Sequence, residues 1–529
     1  MRVYQKLFLV VLILSLMALP LFAGGRSGTT QGAASGTYPT GRITYPISTN
    51  VTLTWWMPLT GVDRVTNHKD HPAYKGLMER IGINIDFIHP SGNANEQFNL
   101  MVASGDLPDI MTRGQILNYP GGPEKAISDG TVLKLNDYID NYAPNFKDRL
   151  TADPQMAKNI RTDSGSYFTF PFYRSDMRLG IWQGIMIRKD WLDELGLQMP
   201  ETYDDWYNVL TAFKTRKNSP APLTMSYNNA FFMFGYGIDN YYNHNNGTVF
   251  WGRMEPAYRD YLTMINRWYR EGLIDPDMGT LTGAQQQAKI TNGTSGATTG
   301  SVSGNMGSWI PSGRLLDPNF TLVGTKFPVL RRGTQAEIMP INQPYSNTEG
   351  SVSIGGKTRY PELAVRFMDY GYSEEGHMYY NFGTLGQTYN MVNGQPRLTD
   401  LILRNPEGMS VSQAQSFYIF NRGPYIQDSR PDEQLLTYPE QSQAKDTWTI
   451  PTNPYAHLMG PVMATQDEAS ELAQINTEID TYAAEMELKF MIGTEPLSNF
   501  DSYVATLRRM GVDRGIAIQT AMLRRYNAR

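Results

Sequence analysis

The segment Ser351–Thr358, SVSIGGKT, ends in Gly-Gly-Lys-Thr, a run in which backbone amides and a lysine could cradle a phosphate. The spacing fails that chemistry. Ser351 stands five positions before Gly356, where a phosphate loop needs glycine, and Pro361 sets the helix start beyond Lys357 and Thr358. Asp275 and Asp277 in DPDMG lie two apart, as in a calcium loop, but the further oxygen ligands and closing glutamate are missing, so a turn behind a helix is expected. The six histidines (His68, His71, His89, His244, His377, His457) form no HExxH pair. His68 and His71 fall three apart in an expected loop, with surface or capping roles as the default. Asp190, Asp193 and Glu194 occupy the first turns of an expected helix, where the helix dipole favours negative charge. Carboxylates that hydrolyse glycosides pair in space rather than in sequence, so that chemistry stays open.

Composition narrows the classes further. With 529 residues, 41% hydrophobic, the chain can bury two or more full cores, which excludes a disordered protein. Zero cysteines exclude disulfides, thiolate zinc sites, iron–sulfur clusters, thiol nucleophiles and a lipid-bearing N-terminal cysteine. A net charge of -5 argues against nucleic acid as a partner. The 9 Trp, 32 Tyr and 21 Phe supply many flat apolar faces among few charges.

The elements that would position such groups read in order. Arg2 and Lys6 precede the apolar run Leu7 to Leu19, and Ala23 follows Pro20, so residues 1–23 are expected to be a secretory signal, with an uncleaved anchor as the alternative. Residues 24–50, rich in Gly, Ser and Thr, read as a flexible tether. Val51 to Trp56, a helix through Tyr74, Leu77, Met78 and Ile81, Ile83 to Ile88, a helix through Phe98, Met101 and Val102, and Asp109 to Met111 give β-α-β-α-β. A second α/β unit starts near Arg178, with strands expected at Gly180 to Arg188 and Thr321 to Phe327 and helices around Trp206 and Tyr258 to Tyr269. Gly293 to Gly307 has a linker's composition. Trp309 and the strand beyond it favour a close-packed strand-turn-helix bordering a ligand. Leu472, Ile475, Ile479, Tyr482 and Met486 form one apolar stripe in a helical C-terminal part.

Seven segments resemble, in order, the extracellular solute-binding proteins of carbohydrate ABC importers, in the long oligosaccharide-binding subgroup. They include LMVASGDLPDI (Leu100 to Ile110), IRKDWLDELGLQMPETYDDWYNVLTAFK (Ile187 to Lys214), WYREGLIDPDM (Trp268 to Met278), NFGTLGQTY (Asn381 to Tyr389) and MELKFMIGTEPLSNFDSYV (Met486 to Val504). The chain departs from the family in lacking a lipobox cysteine and in carrying Leu385 in the NFG segment. The resemblance implies an α/β, type II-like periplasmic-binding-protein fold: two interleaved lobes joined by hinge crossovers, with C-terminal bracing helices. Lobe one would comprise 51–171 and 347–372, and lobe two 172–346 and 373–529. Crossings are expected near Phe170 to Arg174, Gln343 to Gly350 and Tyr372 to Phe382. It further implies a non-catalytic, exported, monomeric protein without cofactor or metal, which delivers a carbohydrate to membrane permease subunits. A secreted glycan-active enzyme and a sensory binding component are the alternatives.

Sugars stack C–H faces on aromatic rings and need convergent polar groups for their hydroxyls, and ligands of α/β sheets sit beyond the carboxyl ends of strands. The expected ligand-binding residues are therefore Trp56, Thr60, Thr112 and Arg113 in the first lobe, and Tyr173, Arg178 and Trp182 across the first crossing. Asn228, Phe231, Asn305 and Trp309 would serve from the second lobe, Tyr345 and Glu349 at the return, and Asn381, Phe382 and Tyr389 in the NFG segment. Each aromatic has core packing as its bland alternative. Arg113 and Arg178 together would hint at an acidic sugar.

Overall fold

The strand Thr52–Trp56 sends Trp55 against Phe87 and Trp56 against Phe98, so both faces of its sheet must be covered. The computed structural model describes residues 38–59, 64–112, 116, 119–338, 345–346 (backbone only), 350–449 and 455–529. In it this strand pairs in parallel with Asn84–Ile88 and Ile110–Thr112, the helices Pro72–Ile81 and Ala94–Ser104 forming the crossovers. Val352–Ile354 joins from far along the chain, antiparallel to Ile110–Thr112. The first helix stops at Gly82, whose φ of +78° suits a left-handed cap. A Cβ there would fall 2.2 Å from the Ile47 carbonyl oxygen.

The second sheet runs 322–324, 183–188, 297–301, 223–224 and is mixed, its two central strands antiparallel. A Thr202–Asp205 capping box starts the helix Tyr203–Arg216, which buries Trp206, Leu210 and Phe213 on this sheet's core. The Gly/Ser/Thr run is strand-turn-helix: Ala297–Ser301, a π turn at Val302–Met306, and Gly307–Leu316. Gly296 is required by close approach, since a Cβ there would lie 2.3 Å from the Phe213 ring. The helix Pro439–Trp448 crosses the sheet, and the Trp448 indole donates to the Ile185 carbonyl at 3.3 Å.

A third, small sheet has Phe172–Arg174 at its centre, antiparallel to Tyr345–Ser346 and parallel to Ile426–Gln427. The segment expected as a third crossing, Tyr372 to Phe382, is mostly the helix Glu374–Phe382, because Ser373 caps it by accepting the Gly376 N–H. Its Asn381 instead ties down the third strand, donating to the Ile426 carbonyl at 3.0 Å and accepting from the Asp428 N–H at 2.8 Å. The long helix Gln466–Ile492 carries the expected apolar stripe toward the second core.

Thr40–Arg529 forms one compact unit, and of Met1–Pro39 only Tyr38 and Pro39 are described, without regular structure. The expected signal and the first part of the tether lie outside the described residues. The rest of the tether is docked rather than free. Tyr45 donates to the Arg366 carbonyl at 2.9 Å and edges onto Tyr370, and the Ile47 N–H donates to the Ile81 carbonyl at 2.7 Å. Two apolar side chains with backbone partners give this stretch enough contact to hold it. Among the described residues no helix is long and apolar enough to cross a membrane.

Candidate functional site

At the carboxyl edge of the first sheet the chain builds a cavity of about 270 Å³. Asp109, at the amino end of the strand Ile110–Thr112, fixes its register: its Oδ2 accepts from the Thr54 N–H at 2.8 Å and the Thr54 hydroxyl at 2.9 Å. The Trp55 indole donates to Thr112 Oγ1 at 2.6 Å, so the strand ends carry both groups into the wall. Tyr74 and Phe420, 5.0 Å apart and edge to face, close another side. The segment Ser416–Pro424, which begins in the last turn of the helix Val411–Tyr418, lines the remaining side.

Beneath it lie three imidazoles, against the expectation of surface roles for His68 and His71, which are 2% and 3% exposed. His89 uses both ring nitrogens: Nδ1–H donates to the Met57 carbonyl at 2.9 Å and Nε2 accepts the His68 N–H at 3.1 Å. That pattern fixes its neutral tautomer and leaves it no lone pair for a metal. His68 stacks within 4.7 Å of both His89 and Tyr74. Burial, with His89 and His71 beside it, pushes His68 down to about 3. Burial pushes His71 down to about 4, against a weaker opposite pull from the Ser416 carbonyl. Both are therefore neutral at pH 7. The packing of the cluster explains the miss: the spacing His68–His71 describes a loop, while burial comes from Phe87, Tyr74 and Phe417, which the fold brings over it.

A larger cavity of about 790 Å³ opens at the carboxyl end of the strand Ala297–Ser301. Ser303, Gly304 and Ser308 line one wall, and Ser412, Gln415 and Gln434 the other. The helix Val411–Tyr418 and the residue after it thus serve both cavities, with Ser412 and Gln415 on the larger and Ser416 and Ile419 on the smaller. Gln441 braces the floor by donating to the Val302 carbonyl at 2.7 Å. Among the described residues lining the two cavities the only carboxylate is Asp400, paired with Arg404 at 2.8 Å, so no two carboxylates flank a common point as glycoside hydrolysis requires.

Eight of the nine tryptophans are buried, and Trp182 alone is exposed, at 43%. Its carbonyl accepts the N–H of Val302 at 2.9 Å, the residue before Ser303 of the larger cavity, although Trp182 itself does not line that cavity. Of the other expected site residues, Thr112 lines the smaller cavity. Trp56, Phe231, Trp309 and Phe382 are packed in cores, as is Tyr389 against Phe382. Tyr173 is buried in the small sheet, and Tyr345 pairs with it through the backbone. Asn381 is spent on the third strand, and Asn305 accepts from the Ser301 N–H at 2.8 Å to close the π turn. Arg178 is paired with Asp446 at 2.8 Å. Asn228 is exposed, its carbonyl accepting from Asn240. Thr60, Arg113 and Glu349 lie outside the described residues.

The model of the bacterial extracellular solute-binding protein family matches residues 70–378, more than half of the chain. The chain belongs to that family. The family is one of solute-binding proteins rather than enzymes. Over 303 residues the protein is 28% identical to lipoprotein LipO of Bacillus subtilis, covering 53% of this chain and 54% of that one. Over 282 residues it is 27% identical to the fructooligosaccharide ABC transporter substrate-binding protein FusA of Streptococcus pneumoniae, covering 47% and 50%. This solute-binding protein thus spans about half the length of the curated relatives it matches. Its fold matches the crystal structure of alginate-binding protein AlgQ2 with a TM-score of 0.75 at 24% identity, over 92% of this chain and all of that one. FusA in complex with kestose matches with a TM-score of 0.71 at 20% identity, over 90% of this chain. The α/β two-domain solute-binding fold expected from the sequence is therefore the observed one.

Proposed function

We propose that this protein captures a carbohydrate, an oligosaccharide or glycoside, and delivers it to the permease of an ABC importer. The observation that carries the reading is the pair of cavities at the carboxyl edges of two sheets, one aromatic-walled and one lined by hydroxyls and amides. The names of FusA and of the polygalacturonan/rhamnogalacturonan-binding protein YtcQ, 26% identical over 313 residues, support a saccharide as the ligand class.

In this reading the lobes are 51–171 with 347–372, and 172–346 with 373–529, and the small sheet centred on Phe172–Arg174 is the hinge about which they close. The pairing of Val352–Ile354 with Ile110–Thr112 supports assigning the former to lobe one. The protein acts outside the cytoplasm as a monomer, exported by residues 1–23 and, having no cysteine, free of a lipid anchor. Isothermal titration of the purified protein against a glycan library tests the core of this. Stoichiometric, saturable binding without turnover is expected. Failure to bind any glycan, or hydrolysis of one, refutes it. Small-angle scattering with and without ligand reads the closure.

A further inference from the structure

The reading as a sugar-binding protein can be carried one step further, on which the following rests. We propose that the smaller cavity is an end-recognising subsite that buries one uncharged sugar unit, so that the ligand is a neutral saccharide rather than a uronate.

Size comes first. At about 270 Å³ the cavity equals the liquid share of about nine waters and falls just below the range of pockets that enclose whole drug-sized ligands. A single ring fits such a space and a chain does not. Its walls are largely aromatic and aliphatic, with Trp55, Tyr74, Phe420, Met57 and Val352, the kind of surface that a sugar's C–H face covers.

Polar atoms in the wall form the second, independent observation. His68 Nδ1, His71 Nδ1 and Tyr380 Oη are buried and have no hydrogen-bond partner in the protein, and all three side chains are at least nine-tenths buried. Buried polar atoms are almost always paired, so three orphans around one cavity point to partners that a ligand brings when the walls settle on it. Thr112 adds a hydroxyl proton to donate, since its oxygen already accepts from Trp55. Neutral imidazole nitrogens and hydroxyls match sugar hydroxyls, which both donate and accept.

Charge decides between neutral and acidic units. Among the described residues that line the cavity there is no carboxylate, and the one cation, Arg422, is exposed to solvent. The groups facing His68 and His71 are Tyr74, Phe87, His89, Phe417 and the Ser416 carbonyl, none of them charged. To answer a carboxylate at pH 7, His71 would have to be protonated from about 4, a penalty of about a thousand-fold in affinity. A uronate inside the cavity would thus lose its hydration with only the solvent-exposed guanidinium of Arg422 to answer it, whereas a hydroxymethyl group loses little.

The test is isothermal titration of the full chain at pH 7 with matched pairs: neutral gluco-, xylo-, manno-, galacto- and fructo-oligosaccharides, and the same chains ending in a uronate. The neutral member of a bound pair is expected to bind at least about tenfold tighter. Equal or tighter binding of the uronate-ended member overturns this inference and leaves sugar binding intact. Binding of no saccharide at all overturns both. Tyr380→Phe provides a second readout. It removes only an unpartnered hydroxyl, so the melting temperature should hold or rise while affinity for the neutral ligand falls about tenfold. Unchanged affinity with the folded variant overturns the subsite.

Discussion

Arg253 and Glu487 form an ion pair at 2.9 Å with side chains 8% and 0% exposed, joining the turn before the helix Pro256–Arg270 to the long C-terminal helix. Tyr258, Tyr261 and Tyr503 crowd the carboxylate, and Asp480 faces the guanidinium from the same helix as Glu487. Burial pushes Glu487 up to about 7, with Arg253 pulling the other way. A carboxyl raised in the folded state contributes its full stability below its unfolded value near 4.5, and loses it as pH rises through the folded value. Across that window the change is roughly 3 kcal/mol. Arg253→Met removes the charge that holds the value down, leaving only the weaker pull of the Tyr258 hydroxyl, so Glu487 stays protonated to higher pH. Beyond pH 7 the variant should then lose about 1.4 kcal/mol more for each pH unit than the wild type, up to the limit of about 3–5 kcal/mol for an unpaired buried charge. Chemical denaturation at pH 5.5, 7 and 8 measures this. The gap between wild type and variant should widen from pH 7 to 8, and Arg253→Met/Glu487→Met should close most of it. A gap independent of pH would refute the assignment of the penalty to an unpaired carboxylate.

Trp182→Ala should weaken saccharide binding about tenfold with little change in melting temperature, since the side chain is 43% exposed; titration calorimetry beside a thermal scan separates the two. Asp428 is opposed by burial, but hydrogen bonds from His377 and Arg430 hold its carboxyl well below the usual range. Asp428→Asn should therefore lose about 1.5–3 kcal/mol at pH 7. That loss should shrink progressively as pH falls below about 4, because the unfolded chain then takes up a proton that the folded carboxyl still refuses; urea midpoints at pH 7 and 3.5 check its onset. Gly184→Ala would put a Cβ 2.3 Å from the Trp448 ring, push the helix Pro439–Trp448 off its sheet and shift Gln441 in the floor of the larger cavity. Both stability and affinity should fall, the first read by melting and the second by titration.

The two sheets were legible because their strands obey local rules. Val51 to Trp56 and Ile83 to Ile88 alternate, Gly82 and Gly105 mark helix ends, and Thr202 with Asp205 spells a capping box. The small sheet was half legible. Phe172–Arg174 and Tyr345–Ser346 fall where crossings were expected, but Ile426–Gln427 is two residues long, and its place is set by Asn381 rather than by any pattern of its own. Docking of Tyr45 and Ile47 was hidden for the same reason: their partners Arg366 and Ile81 lie elsewhere in the chain.

Site residues were harder to read, since an aromatic at a strand end looks the same whether the next layer of the fold covers it or not. Trp56, Phe231 and Trp309 are covered by Phe98, Phe327 and the second core, whereas Trp182, one residue before the central strand Gln183–Arg188, is left exposed. The aromatic excess therefore serves the cores first, and discrimination between ligands falls to groups of ordinary appearance. His68, His71 and Tyr380 belong to this set. Separated by some 300 residues, they become a site only when the segment Ser416–Pro424 closes over the first sheet. Their burial makes them neutral, and neutral acceptors beside aromatic walls suit hydroxyls better than carboxylates. Ligand charge preference in this protein thus follows from how deeply two histidines are packed, a property of the tertiary fold that residue type and spacing do not carry.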